Sequence, residues 1–308
     1  MRIVYNIEPN HYSEIAIENW VKTGYKYVNG SYESFKNYKH LNSVEILIVR
    51  LKNKINADLI SCFKNLKIVI SATTGLNHID LQILKSKKIQ LISLKGHENF
   101  LKQIPSTAEL TFSLILNLMK NVTQSIESVK SGNWNRENFK GFQLFNKKIG
   151  IIGLGRIGTM VARYAKAFGM KIFYYDPYVE NNSFNKVDNV LELVSKVDII
   201  TIHIDYNVNN KKFIDKNIIS HFKNDIYIIN TSRGEIWDEK EIVKMLKKGI
   251  IKGLAVDVLS DETGDLKANP IWNERFNPKV LLTPHIGGAS FDAMWQCELF
   301  VQNLIIKK

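Results

Sequence analysis

Cysteine is scarce in this 308-residue sequence, and the two present, Cys62 and Cys297, lie far apart and in no ligand spacing. That pair suggests neither a disulfide framework nor a zinc site; no metal is expected, and buried thiols are the reading at both positions. Long apolar runs are missing too, since no window approaches the ~20 residues needed to span a bilayer. The opening MRIVYNIEPN reads as a first β-strand and lacks the charged stretch followed by a long apolar one that marks a signal peptide. The expectation is a cytoplasmic protein with no membrane partner. Basic residues are plentiful but not gathered: Lys and Arg number 42 against 30 Asp and Glu, a formal net charge of +12. These cations are mostly lysines scattered along the chain, with no basic stripe interleaved with aromatics and no nucleic-acid reading motif, so no nucleic-acid partner is expected. The excess is suited instead to drawing in a small anion at modest salt.

What is present is an ordinary folded composition, 45% hydrophobic and 23% charged, at a length beyond which one core usually stops growing. Two domains are therefore expected. Arg2 to Asn6, Glu45 to Arg50, Leu66 to Ser71 and Ile89 to Leu94 read as strands separated by amphipathic, helix-length pieces, the rhythm of βα units and a parallel sheet. A second alternation begins at Lys148. Strands are expected near Ile149 to Gly153, Lys171 to Asp176, Asp198 to His203, Asp225 to Asn230, Ile251 to Asp257 and Val280 to Thr283. Six strands in that rhythm match a doubly wound dinucleotide fold. Between the two halves, Ser106-Thr107-Ala108-Glu109 after Pro105 has the form of a capping box. A long helix with a wide apolar face is expected from there to about Val129, suited to bridging two domains or building a dimer.

The run KIGIIGLGRIG from Lys148 to Gly158 places Gly-x-Gly-x-x-Gly directly after an apolar strand and directly before a helical pattern. Gly153 allows the tight turn, Gly155 lets the backbone approach a pyrophosphate, and Gly158 lets the helix pack on its strand. The amides of Arg156 and Ile157 then face the phosphates from the helix N-terminus. Asp176 closes the next strand at the distance where a carboxylate accepts hydrogen bonds from ribose hydroxyls and repels a 2′-phosphate, which favours NAD over NADP. Its competing reading is a surface Asp that opens a turn before Pro177. Three further segments fall at expected strand ends, where doubly wound sheets place ligands. They are Asn230-Thr231-Ser232-Arg233-Gly234, Val256-Asp257-Val258-Leu259-Ser260-Asp261-Glu262, and Thr283-Pro284-His285-Ile286-Gly287-Gly288.

With the glycine fingerprint, these segments occur in the order and spacing of a known family. The chain resembles, over nearly its whole length, the D-isomer-specific 2-hydroxyacid dehydrogenases, which include phosphoglycerate, glycerate and D-lactate dehydrogenases. The resemblance implies a hydride transfer between NAD(H) and a small 2-hydroxy or 2-oxo acid, with Arg233, Glu262 and His285 as the catalytic set. The chemistry is sensible for those residue types. A planar guanidinium grips a carboxylate in bidentate fashion, and a histidine backed by a carboxylate can give and take the alcohol proton. Arg233 is thus expected to anchor substrate, His285 to be acid in reduction and base in oxidation, and Glu262 to orient and charge-support His285. Taken singly, the three could instead be a phosphate ligand, a loop carboxylate and a strand-end residue satisfied by backbone. The resemblance also assigns cofactor contacts to Thr231, Ser232, Asp257, Gly287 and Gly288, with Asp257 on the carboxamide; a buried helix cap is the competing reading for Asp257. Thr74, Gly75 and Leu76 match the family's substrate loop, where exposed amides form a small anion nest for the carboxylate; a simple turn is the alternative. Arg50 and His97 are weaker pocket candidates, read as ordinary surface or loop residues.

The fold class expected is α/β, with two doubly wound parallel-sheet domains. Residues 1–100 form a flavodoxin-like substrate domain completed by the C-terminal helix 289–308, and residues 101–288 a Rossmann NAD-binding domain. A cleft between them is expected to close over the substrate and exclude water, and the family is commonly a homodimer. Departures from the pattern are Thr263 where many members carry Pro, which is expected to loosen that loop, and His203-Ile204-Asp205-Tyr206 in place of His-x-Pro-Leu. The chain also ends soon after His285, so no regulatory domain is expected. Two rival functions remain open: an NAD-sensing corepressor-like scaffold, and formate or phosphite oxidation, although formate enzymes resemble this pattern with Gln at the position of Glu262.

Overall fold

Isoleucine and valine dominate the strand segments, and such runs, apolar on both faces, form strands of parallel sheets that are covered on both sides. A computed structural model of the chain describes residues 2–262 and 264–306 and forms two compact units. Thr263 lies outside the described residues, so the expectation placed on it is not addressed.

The first unit, Met1–Gln103 with Ala289–Lys308, is built on a five-stranded parallel sheet. Its strands are β1 (Arg2–Asn6), β2 (Tyr25–Asn29), β3 (Val44–Val49), β4 (Ile68–Ser71) and β5 (Gln90–Ser93), in spatial order β2-β1-β3-β4-β5, the flavodoxin-like order. Ile3, Tyr5, Leu47 and Val49 enter one core with Leu59, Ile60 and Phe63, while the alternate residues Val4, Ile46 and Ile48 are buried on the other face. Each fully buried Ile or Val contributes about 2 kcal/mol from surface removed from water. Strand β2 was not expected from the sequence. It is an edge strand, YKYVN, with no fully buried residue, so its polar alternation hides it from a search for apolar runs.

The helix Phe291–Ile306 completes this unit through directed contacts with the N-terminal segment. Glu298 accepts from the Ser13 amide (2.9 Å) and pairs with Arg50, Gln302 donates to the Ala16 carbonyl (2.7 Å), and the Trp295 indole donates to the His11 carbonyl (3.0 Å). Burial pushes the Glu298 carboxyl above its ordinary range, with Arg50 and the Ser13 amide opposing. Arg50, in the loop after β3, also donates from its guanidinium to the Asn10 carbonyl and is thus a part-buried ion-pair partner. His97 opens the short helix Glu98–Leu101 and meets the Phe300 ring edge-on. Of the two thiols, Cys297 is buried as expected; Cys62 is only half-buried, a correction, and neither forms a disulfide.

The second unit, Ile104–Gly288, holds a seven-stranded parallel sheet. Its strands are β6 (Lys148–Ile152), β7 (Lys171–Tyr175), β8 (Asn185–Lys186), β9 (Ile199–Ile202), β10 (Ile226–Asn230), β11 (Ile251–Val256) and β12 (Val280–Leu282). The order β12-β11-β10-β9-β6-β7-β8 reverses direction at β6, the switch point of a Rossmann sheet. Ile149, Ile151, Ile199 and Ile229 join the core on one face, and Ile152, Ile200, Ile202 and Ile228 the core on the other. Each of the six expected strands is present to within a residue or two; the unexpected β8 is a two-residue edge.

Two expectations at the start of this unit need correction. The helix Ser106–Lys120 begins one residue earlier than a capping box requires: Ser106 is helical, Pro105 is the cap residue without a side-chain bond, and the Ser106 hydroxyl donates to the Gly287 carbonyl (2.8 Å). The helix also does not run on to Val129. It stops at Asn121, which adopts the left-handed conformation (φ 54°) and leads into a separate helix, Val122–Lys130. Asn tolerates that conformation better than other side-chain-bearing residues, which makes it a helix stop.

Candidate active site and nucleotide-binding turn

The three fingerprint glycines meet three different local demands. Gly153 has φ +90°, and a Cβ there would lie 2.7 Å from the His203 carbonyl oxygen. A Cβ on Gly158, in the helix Arg156–Ala167, would lie 2.0 Å from the Gly153 carbonyl oxygen, so only glycine lets helix and turn pack this closely. At Gly155, by contrast, a Cβ would meet nothing within 4 Å. The first and third glycines are needed by the fold, and the middle one faces open space at a helix N-terminus, where positive dipole and unpaired amides favour an anion. Those demands fit a pyrophosphate-bearing dinucleotide.

Asp176, directly after β7, is buried and belongs to the same turn. Its Oδ2 accepts from the Leu154 amide (2.8 Å), inside the glycine run, while Oδ1 accepts from the amides of Tyr178 (2.9 Å) and Val179 (3.0 Å). Asp176 does open the turn, but it is buried and not the surface residue of the competing reading, and it also contacts the fingerprint. The His203 imidazole bonds to the Thr201 hydroxyl (2.8 Å) and is pushed down to about 3 by burial, so it stays neutral in the physiological range.

Past β10, β11 and β12 the three remaining segments come together as a connected set of loops. Asn230 is fully buried and holds the first: its Oδ1 accepts from the Ser232 amide and hydroxyl and its Nδ2 donates to the Arg233 carbonyl. Thr231 is buried with its hydroxyl 2.7 Å from that of Thr111, which fixes the loop to the helix Ser106–Lys120. Asp257 holds the third segment. Its carboxylate accepts from the Thr283 hydroxyl (2.6 Å) and the amides of Ile286 (2.8 Å) and Gly287 (2.8 Å), and its carbonyl accepts from the His285 amide (2.9 Å). Burial pushes the Asp257 carboxyl up, and those three donors oppose the shift. It caps no helix; it shapes the turn on which His285 sits at φ 53°, a conformation that a non-glycine residue holds only under constraint. Gly287 is buried here, and a Cβ on it would press on Asp257 and Thr107, whereas Gly288 is open.

A direct side-chain contact joins the second and third segments. His285 Nδ1 and Glu262 Oε2 are 2.6 Å apart, and the other carboxylate oxygen of Glu262 accepts from the Leu259 amide (3.0 Å). The structure thus joins Glu262 and His285. Arg233 is not bonded to either among the described residues; its guanidinium donates to the Ser232 carbonyl (2.6 Å), and the link to Glu262 runs through backbone, where a Cβ on Gly234 would lie 2.1 Å from the Leu259–Ser260 peptide. Sequence reasoning missed the residue that holds this peptide, Glu239. Its position in the first turn of the helix Glu239–Lys247 reads as an ordinary dipole-favoured acid, and only the fold shows it buried.

In the first unit, the Thr73 hydroxyl accepts or donates across 2.8 Å to Ser71 and bonds the Gly75 carbonyl (2.9 Å). The amides of Thr74, Gly75 and Leu76 donate to no acceptor among the described residues, the condition for an anion-binding nest. No group of three or more metal-ligating side chains occurs among the described residues, and no helix there is long and apolar enough to cross a membrane.

A Rossmann sheet with a glycine turn at its switch point, and a carboxylate–imidazole pair on the loops beyond it, define a nucleotide-dependent enzyme fold. Residues 112–287 match the D-isomer specific 2-hydroxyacid dehydrogenase, NAD binding domain, and the chain belongs to that family. It is 34% identical over 272 residues to a D-3-phosphoglycerate dehydrogenase of Methanocaldococcus jannaschii, covering 87% of this chain and 50% of that protein. A hydroxypyruvate reductase of Thermotoga maritima is 31% identical over 273 residues, covering 88% of this chain and 86% of that one. The chain therefore spans about half the length of the phosphoglycerate dehydrogenase it matches and most of the length of the reductase. Among solved structures, a D-lactate dehydrogenase of Aquifex aeolicus complexed with NAD and lactic acid superposes with a TM-score of 0.82 at 26% identity, covering 98% of this chain and 94% of that one.

Proposed function

We propose that this protein is an NAD-dependent D-2-hydroxyacid dehydrogenase that interconverts a small 2-oxo acid and the corresponding D-2-hydroxy acid. The observation that carries the proposal is the 2.6 Å contact between His285 Nδ1 and Glu262 Oε2. With Nδ1 engaged by the carboxylate, Nε2 is the nitrogen left to give a proton to a ketone oxygen or to take it from an alcohol. The nicotinamide cofactor, when bound, supplies or accepts the hydride at C2. Arg233 binds the substrate carboxylate through its planar fork, and the amides of Thr74, Gly75 and Leu76 bind carboxylate oxygens in the same way as other backbone nests. The proton lost from His285 in reduction goes to the new hydroxyl, and the reverse transfer accompanies oxidation.

For the cofactor, Gly153, Gly155 and Gly158 with the Arg156 and Ile157 amides hold the pyrophosphate. Asp176 accepts from the ribose hydroxyls and disfavours NADP, and Thr231, Ser232, Asp257, Gly287 and Gly288 surround the nicotinamide end. In this assignment residues 101–288 are the NAD-binding domain, and residues 1–100 with the C-terminal helix the substrate domain. A homodimer through the second unit is supported by its exposed apolar side chains, among them Ile126, Val129, Trp134, Phe142 and Phe145; a monomer by light scattering at micromolar concentration contradicts it.

A steady-state screen of glyoxylate, pyruvate, hydroxypyruvate, 2-oxoglutarate and phosphohydroxypyruvate with NADH and NADPH tests the whole reading. At least one 2-oxo acid is reduced, and NADH is preferred. NADH binding without reduction of any of them replaces this reading with a nucleotide-sensing scaffold.

A further inference from the structure

Glu239 is a buried carboxylate with three donors that belong to one loop. Its Oε1 accepts from the Ser260 amide (2.9 Å), and its Oε2 accepts from the Ser260 hydroxyl and from Asn269 Nδ2 (2.7 Å). It is not needed as a helix cap, since Asp238 already accepts from the amides of Lys240 and Glu241. Ser260 and Asn269 bracket the stretch that carries Glu262, so one side chain fastens both ends of it. Asn269 is buried as well, and its Oδ1 accepts from the amides of Ile271 and Trp272, which anchors the far end to the next turn. At the near end, Gly234 packs on the same Leu259–Ser260 peptide, and the Leu259 amide in turn binds Glu262. Glu239 therefore bonds the peptide that Gly234, the neighbour of Arg233, packs on, and the next peptide back, Val258–Leu259, supplies the N–H from which Glu262 accepts.

We propose that Glu239 is a positioning residue for the active site: by clamping Ser260 and Asn269 it fixes the loop that presents Glu262 to His285. The proposal rests on the reading of Glu262 and His285 as the acid/base pair. Its physical basis is that reactivity depends steeply on the placement of the groups involved. Burial pushes the Glu239 carboxyl up while its donors from Ser260 and Asn269 oppose the shift.

Glu239→Gln keeps the size of the side chain but sets its amide against the amide of Asn269, and the expected result is a fall of about tenfold or more in kcat for the 2-oxo acid that the wild type reduces fastest with NADH. NADH binding, followed by fluorescence, stays within about twofold because the glycine turn is untouched. KM for that 2-oxo acid stays within about twofold, so the loss falls on kcat. Asn269→Asp alone is also impaired, having placed two carboxylates together, whereas Glu239→Gln with Asn269→Asp restores a donor–acceptor pair with the roles exchanged and recovers most of kcat. If Glu239→Gln does not fold, Ser260→Ala carries the test: it deletes only the hydroxyl contact, and a smaller fall in kcat, again with KM unmoved, is expected.

Wild-type kcat in Glu239→Gln overturns the proposal. So does a loss that the double variant does not recover and that extends to KM and NADH affinity, which is the signature of general damage to the fold. Full turnover in His285→Ala instead removes the reading on which the proposal stands, so the two failures are told apart.

Discussion

Gly153, Gly155 and Gly158 lie within six positions of one another, yet the constraints on them differ, and substitution separates them. Gly158→Ala puts a methyl group against the Gly153 carbonyl oxygen, 2.0 Å away before relaxation, and is expected to cost about 2 kcal/mol of stability in urea unfolding. Gly155→Ala meets nothing within 4 Å, so its unfolding midpoint stays at the wild-type value while NADH affinity falls about tenfold, ~1.4 kcal/mol. Equal loss of stability in both variants contradicts the assignment of the middle glycine to the ligand. These residues were legible in the sequence because glycine's steric freedom is a property of the residue itself. Glu262 and His285 were legible only as members of a family pattern; nothing in their local sequence announces a 2.6 Å contact across 23 positions. Glu239 was illegible, since a first-turn acid looks the same whether it faces solvent or a loop.

At the level of elements, apolar periodicity revealed the strands that carry buried residues, including the edges β5 and β12, and missed β2 and β8, the two edges that carry none. An edge strand without a buried residue owes its place to pairing on one side, which leaves little trace in hydropathy. The helix Ser106–Lys120 shows the limit of a local rule. Ser106 and Glu109 have capping-box spacing, but the Gly287 carbonyl captures the serine hydroxyl, a partner 181 positions away. Ser106→Ala is accordingly expected to cost about 1 kcal/mol and to loosen the Thr283–Gly288 turn, seen as faster amide exchange at Ile286 and Gly287, with exchange in the first turn of its own helix unchanged. Protection lost in that helix turn, with the Ile286 and Gly287 amides unaffected, contradicts it.

Across the chain the two parallel sheets and the grouping of three distant loops were legible, because βα alternation restricts the topologies available. Charge placement was not. Asp198 pairs with Lys223 (2.6 Å) and accepts from the Lys148 amide (2.9 Å), which ties the start of β6 to the segment after β9. Burial works to raise its carboxyl, but Lys223 and the Lys148 amide outweigh it and hold the group below its ordinary 3.8. A carboxyl depressed in the folded state stabilises above its unfolded value and loses that contribution as pH falls through the folded one. Asp198→Asn is therefore expected to be less stable than wild type at neutral pH, with the gap closing as the medium is acidified below about pH 4. A gap that is constant from pH 7 to pH 3 in thermal unfolding contradicts the ion-pair assignment.

In the proposed reaction His285, backed by Glu262, moves the proton of the hydroxy acid while the nucleotide is held at the glycine turn of the same unit. Single-turnover reduction of the best 2-oxo acid by NADH in wild type and His285→Ala, with NADH binding measured on the same samples, tests this role. The expected result is a rate at least about a hundredfold lower with NADH affinity nearly intact; an unchanged rate in the variant contradicts the role of His285.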